Sequence, residues 1–563
     1  MYLRETQRRN ADGSVVRYYQ LAENTWDKEK GYAVAKVVYN FGRSEQLDRE
    51  GLQRLARSIL RVFSNEEALA AQPDVKIIAA WSYGVVHVVE ALWRELGIDQ
   101  VLADKMRGHR GKQPFPRALL AMVTHRIQRP SSKRWCRKQW LGEDVFFPGE
   151  SEIELQHLYR AMDFLEAHKA DIEKAIYFRM ADLMNADVDL IFYDTTTLHT
   201  EIDVDDEVPT TGNALAGGRT YEPLRKYGRS KDGRDDVPQI LVGLAVTRDG
   251  LPVRSWVFPG NTSDVTTIEK VKEDLRGWRL GRCVFVGDAG MNSDENRRTL
   301  ALGGGKYILA SKMRAGDEVT TQVMTRAGRY QRVADNLEVK EVFVGDGERR
   351  RRYIVCHNAI EAERQTRHRD KVLEQLLTEL ATLKKPKRGA RHSKRTCALL
   401  TTPRYARYLR QTSRGVLKIS WAGVREEERL DGKWVVTSND DTLSPEDLAL
   451  GYKQLMRAEE CFRTMKQGLR TRPFFHWTAH RICAHVSLCV LALLIERVAE
   501  MRAQDTWRNI AAQLDAIKVV EYERGAAQVR QTSEVRGDLA DLVKRLGAPM
   551  PPRFHSLASS PSA

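Results

Sequence analysis

A chain of 563 residues, 42% of them hydrophobic, is long for a single compact domain and apolar enough for real cores, which excludes a wholly disordered or fibrous protein. Its formal net charge of +15, from 91 Lys+Arg against 76 Asp+Glu, points to a polyanionic partner, nucleic acid first. Seven cysteines without a CxxC pair speak against a zinc ribbon and fit a reducing cytoplasm.

The opening residues, Met1-Tyr2-Leu3-Arg4-Glu5, lack the apolar stretch of a secretory leader. Residues 1–70 read as a small α+β region, with strands over 15–21 and 33–39, an Asp12-Gly13 turn and a helix over 48–63. Residues 71–187 read as a helical DNA-binding region, with apolar residues at helical spacing over 85–96 and 154–184 and a further helix over 117–128. Between Lys105 and Trp140 eleven Lys/Arg occur without one acid, which suits a phosphate-facing surface. Lys133, Arg134, Arg137 and Lys138 are its candidate DNA contacts.

The pattern changes at residue 188. Strands are predicted over 188–193, 240–246 and 252–258, the last two joined by an Asp249-Gly250 hairpin turn. A helix over 266–275, a strand over 283–286, a helix over 294–302 and a strand over 306–310 follow. Three strands in hairpin order, then alternating helix and strand, is the order of an α/β, RNase H-like core, here spanning 188–312 and resuming over 441–503. The intervening 313–440 carries β-like runs at 353–356 and 434–437 around a helix over 369–383, and reads as a β-rich insertion. Its stretch from Leu380 to Arg425 holds thirteen Lys/Arg and no acid; Arg388, Arg391, Lys394 and Arg395, expected in a loop, are candidate phosphate contacts. Ser444-Pro445-Glu446-Asp447 marks a helix start that should run to about Gln467. The apolar helix over 479–502 reads as buried, its strongest run (486–495) being too short to cross a bilayer. Residues 504–563 read as a small α+β appendage ending in a disordered tail from Pro551.

Three carboxylates carry the candidate chemistry. Asp194, in Tyr193-Asp194-Thr195-Thr196-Thr197, and Asp288, in Gly287-Asp288-Ala289-Gly290, each follow a buried strand; each alone also suits an ordinary turn. The glycines beside Asp288 would let a bulky phosphodiester approach the backbone. Glu459 shares a helical stripe with Tyr452 and Lys466, at seven-residue spacing, and with Arg463 at i+4; a solvated Glu–Arg pair is the plainer alternative. Leu448, Leu455, Phe462 and Leu469 form the neighbouring apolar stripe, which turns Glu460 toward solvent. Such a triad suits two-metal phosphoryl transfer, and hard oxygen ligands favour Mg²⁺, with Mn²⁺ as substitute. A phosphate-binding GxxxxGK[ST] loop is absent, so no nucleotide cofactor is expected.

These three segments, with Pro259-Gly260-Asn261-Thr262-Ser263-Asp264, resemble the bacterial insertion-sequence transposases with a DDE triad, in the family-four group whose late helix carries a Y-R-E-K motif. The resemblance covers roughly residues 1–495. It implies that Asp194, Asp288 and Glu459 hold two metal ions, and that Tyr452 and Lys466 are the motif's tyrosine and lysine. It also implies that the partners are transposon terminal inverted repeats and target DNA, with a homodimer in the synaptic complex. The motif's arginine is Leu455 here, with Arg463 or Arg457 as possible replacements. A nuclease of this fold without strand transfer, or a catalytically silent DNA-binding relative, are the alternative functions. Trp434 fits either a base-stacking residue or a buried strand residue of the insertion.

Overall fold

The computed structural model describes residues 1–10, 14–60, 75–107, 113–184, 190–276, 278, 283–314, 318–383, 393–413, 415–524 and 527–559. The chain divides into two compact units, one of residues 1–79, 521–530 and 556–563, the other of residues 80–520 and 531–555.

The smaller unit contains an antiparallel sheet of β1 (Tyr2–Arg9), β2 (Val15–Asp27) and β3 (Tyr32–Arg43), followed by the helix Arg49–Leu60. Sequence reading missed β1, whose Arg/Glu/Gln-rich run hides its alternation; its register onto β2 is continuous from Tyr2↔Ala22 to Arg9↔Val15. The Asp12-Gly13 turn lies outside the described residues. Residues 71–187 do not begin helical, because Val75–Ser82 is a strand, β4.

In the larger unit the helices Gly84–Glu95, Phe115–Gln128 and Leu155–Met184 stand where apolar spacing places them. Then come β5 (Leu190–His199), the short β6 (Thr210–Thr211) and β7 (Thr220–Tyr221), β8 (Gln239–Val246), β9 (Pro252–Pro259), β10 (Val284–Gly287) and β11 (Lys306–Ser311). Residues 313–440 supply β12 (Gln331–Ala334), β13 (Leu337–Val344), β14 (Arg351–His357), β15 (Leu409–Gln411), β16 (Leu417–Ile419) and β17 (Lys433–Ser438). Nine strands form one mixed sheet in the order β12-β13-β14-β17-β11-β10-β5-β8-β9. Only β10 runs parallel to its neighbours, β5 and β11; every other pair is antiparallel. Four strands from 313–440 therefore extend the central sheet, with β17 returning to pair with β11. The long helix of that segment starts earlier than its apolar pattern indicates, at Ala359, because Asn358 caps it by accepting from the Glu361 amide.

The helix predicted to run from Ser444 to Gln467 is two helices. Ser444 and Asp447 form the capping box of Pro445–Lys453, and the chain breaks at Gln454–Leu455 before Met456–Arg463. The final turn, Thr464–Gly468, widens to π geometry. The apolar stripe survives the break: Leu448, Leu455, Phe462 and Leu469 are all buried. Helix Ala479–Ala503 stands where expected and is apolar enough to cross a membrane by length and composition; here nearly all of it is covered by protein, as a core helix is. Beyond it lie helix Trp507–Leu514, β18 (Lys518–Arg524), β19 (Ala527–Thr532), helix Asp538–Arg545 and β20 (Phe554–Ser559). The expected disordered tail thus contains a strand, whose Phe554-His555-Ser556-Leu557 alternation the Pro/Ser-rich composition masks.

Candidate active site

The site is built at the centre of the sheet. Buried apolar residues on both faces make β5 and β10 an interior parallel pair, as such strands must be. Their register runs from Val284↔Leu190 to Gly287↔Tyr193, so the next position on each strand holds Asp288 and Asp194. Paired positions share a face, which brings the two carboxylates side by side. Asp194 is not at a strand end, as the sequence implied. It lies in mid-β5, which continues to His199 because β8 keeps pairing with it through Gln239. Gly287 owes its smallness to the core: a Cβ there would crowd Leu309, Phe285 and Met291 at 3.1–3.3 Å.

Helix Met456–Arg463 places the exposed Glu459 within electrostatic reach of Asp194. Burial pushes the Asp194 carboxyl up to about 6; Lys231 and the Thr195 amide pull it down, while Asp288 and Glu459 push it further up. The Thr195 N–H donates to Asp194 Oδ1 at 2.7 Å. The Tyr452 hydroxyl donates to Asp288 Oδ1 at 3.2 Å, and burial followed by the Asp288 charge holds that phenol far above its ordinary range. Among the described residues no three carboxylate, imidazole or thiol groups close on one point as a finished metal cage. The donor set nevertheless fits a hard divalent cation. All three groups are carboxylates, and the Asp194 anion is disfavoured by burial and by its neighbours' charge, both of which a cation would offset.

Residues that sequence reading did not single out complete the site. Lys231 donates to the Thr195 carbonyl at 2.8 Å and to its hydroxyl at 2.7 Å, and pairs with Asp264 at 3.0 Å. Thr195 in turn donates to Asp264 Oδ1 at 2.6 Å. Asp232 accepts from Lys466 and from Arg472, both at 2.9 Å. The alternating charges of Arg225–Asp236, lying between two buried strands, were the available signal. Lys466 is thus tied to a carboxylate and half-buried, while Arg463 is exposed. Glu460 is paired with Arg457 at 2.9 Å rather than free in solvent, which also engages one of the two candidate replacements for the motif arginine.

Of the outlying basic candidates, Arg134 and Lys138 are exposed and Arg137 is half-buried. Lys133 is not on an outer face: it is 6% exposed, its Nζ donating to His485 Nδ1 at 3.1 Å. The helix that Ser132 caps turns this side chain inward, and charge spacing alone cannot show that. Lys394 and Arg395 open the helix Lys394–Thr401 instead of lying in a loop, because Ser393 caps it; Arg395 is paired with Glu379 at 2.7 Å. Arg388 and Arg391 lie outside the described residues. Trp434 is a half-buried residue of β17, packed against the core.

Comparison with known proteins places the chain in a family. The profile of the family described as "Transposase DDE domain" matches residues 197–495, beginning three residues after Asp194. That of "IS1634 family transposase, N-terminal domain" matches residues 3–73. No curated protein matches the chain. Among solved structures, a piggyBac transposase synaptic complex with hairpin DNA is similar at 8% identity and a TM-score of 0.34, over 77% of this chain and 79% of that one. With more than half its length matched by the DDE domain and its start by the IS1634 domain, the chain belongs to the DDE transposases of bacterial insertion sequences, a family of DNA-acting enzymes.

Proposed function

We propose that this transposase cuts DNA at the ends of its insertion sequence and joins them to target DNA, with divalent metal held by Asp194, Asp288 and Glu459. The observation that carries the proposal is the register of β5 and β10, which sets Asp194 beside Asp288, with Glu459 close enough to act on the Asp194 charge. The strand order β9-β8-β5-β10-β11, three antiparallel strands then two parallel, supports an RNase H-like core. Two Mg²⁺ ions, or Mn²⁺ in their place, would activate a water or a DNA 3′-hydroxyl and stabilise the leaving oxygen.

The chain's own groups prepare that chemistry. The Tyr452 hydroxyl fixes the orientation of Asp288, leaving its second oxygen for a ligand. Lys231 steadies Thr195 and Asp264 beside Asp194, and its ammonium favours the Asp194 anion. Arg463, exposed on the Glu459 helix, is placed to meet a phosphate, as Arg134 and Lys138 are in the helical region that this proposal assigns to terminal-repeat recognition. Two ends must be paired before joining, so a homodimer acts in the synaptic complex.

Asp194→Asn and Asp288→Asn should each abolish Mg²⁺-dependent end cleavage while leaving end binding intact, because affinity rests on Lys and Arg. Cleavage near the wild-type rate in either variant, on a duplex carrying the element's terminal repeat, would refute the triad. A strand-transfer assay with pre-cut ends separates joining from cutting alone.

A further inference from the structure

After the Glu459 helix and its π turn, the chain runs through Arg470-Thr471-Arg472-Pro473-Phe474-Phe475-His476-Trp477, past the end of β5. Thr200, one residue past β5, pairs with Phe474 in a parallel bridge and donates its hydroxyl to the Phe474 carbonyl at 3.1 Å. Thr200 lies six positions along the chain from Asp194, so Phe474 is set about 20 Å from that carboxylate.

It walls a cavity of about 380 Å³ whose lining includes Arg126, Lys133, Arg470, Arg472, Phe475 and His476 and, among the described residues, contains no carboxylate. Its floor is cationic and buried. Arg126 and Lys133 are each 6% exposed. Arg126 donates to the Leu469 and Ser131 carbonyls, and the Lys133 ammonium faces a neutral imidazole nitrogen, so among the described residues neither has an anionic partner. Burial and then Arg126 push Lys133 down to about 7; burial and then Lys133 push His476 down to about 3. Burial is the larger cause of both shifts and neighbouring positive charge the second, and an anion would relieve the second. At the rim, Arg470 is exposed without an ion pair among the described residues, and Phe475 is 66% exposed, an unusual fate for a phenylalanine. Trp477, two residues on and equally exposed, lies under the Arg225 guanidinium at 5.0 Å.

Cations in a carboxylate-free pocket beside an uncovered aromatic ring meet the two needs of a nucleotide, a phosphate contact and a stacking face. We propose that this cavity seats one unstacked nucleotide of a bound DNA strand, its base against Phe475 and its phosphate against Arg470 and the cationic floor. The DNA partner rests on the function proposed above. Arg472 shares Asp232 with Lys466, so an occupied pocket is linked through one carboxylate to the helix segment that carries Glu459.

The test is equilibrium binding of the full-length protein to a fluorescein-labelled single strand of twelve thymidines. Phe475→Ala should weaken binding about 5- to 150-fold, the worth of one base–aromatic stack, and Phe475→Tyr should restore it. Arg470→Gln should weaken binding and reduce the log–log salt slope by about 0.7. Because Phe475 is mostly exposed, its truncation should leave the circular dichroism spectrum unchanged. Wild-type affinity in a folded Phe475→Ala variant would overturn the proposal. So would competition by thymidine monophosphate as effective as that of the unlabelled strand, which would make this a free-nucleotide site. Asp194→Asn keeps the two proposals apart: it should lose cleavage yet bind the strand normally. If it still cleaves, the catalytic assignment fails while the Phe475 result continues to decide the pocket.

Discussion

At the residue scale, the two neighbouring glutamates of the late helix have separate fates. Glu459 is exposed and its charge disfavours ionisation of Asp194 and Tyr452, whereas Glu460 is held by Arg457. Glu459→Gln should therefore eliminate metal-dependent cleavage and Glu460→Gln should keep most of it; the reverse pattern in that assay would move the third ligand. Lys133 makes a prediction about pH. Its ammonium loses its proton near pH 7 in the folded chain but near 10.5 when unfolded, so this group makes stability rise with pH between those values. Unfolding free energies should increase from pH 7 to 9 by up to about 3 kcal/mol from this group. Lys133→Met should remove that increment, and a pH dependence equal to wild type would show that the ammonium is solvated.

At the element scale, a break at Gln454–Leu455 divides the late helix in two. Tyr452 closes the first helix and bonds Asp288; Glu459 sits on the second. Leu455 fills the break and is 6% exposed, so it is a core residue where the family motif has arginine. Leu455→Arg should destabilise the protein by about 2 kcal/mol or more, by burying a charge without a partner, and should not improve cleavage. Urea unfolding reads the cost, and a neutral effect would mean that the side chain reaches water. Ser444→Ala removes the capping box that starts the first helix and should cost about 1 kcal/mol in the same measurement. Both helices were legible as one pattern because the apolar stripe continues across the break. The break itself was not legible, since neither glycine nor proline marks it.

At the scale of the whole molecule, the +15 charge is uneven in its use. Arg395 and Arg407 of the second basic stretch are neutralised by Glu379 and Glu427, acids distant in sequence. The hairpin of β15 and β16 is different: Arg410 lies directly opposite Lys418, both exposed. Like charges facing each other across strands are unfavourable unless an anion lies over them, which makes the hairpin a candidate phosphate contact. Replacing both with serine should lower the slope of log affinity against log salt by about 2 for duplex DNA, near 0.9 for each phosphate no longer neutralised. An unchanged slope would place the DNA elsewhere.

Local sequence by itself determined most elements of the larger unit, because burial shows directly in residue type, as in the uninterrupted apolar runs of Ile240 to Val246 and of the helix Ala479–Ala503, which protein covers on nearly every side. It also singled out the three acids as candidates, through the segments that resemble the insertion-sequence transposases. Tertiary structure alone decided the rest. Pairing of β17 with β11 joined the strands of 313–440 to the central sheet, and the parallel register of β5 and β10 set Asp194 beside Asp288. It also brought Lys231, Asp232 and Asp264 to the site and turned Lys133 inward against His485, which lies 352 residues away. Pairings of that kind depend on how elements pack in space, and no local period in the chain records them.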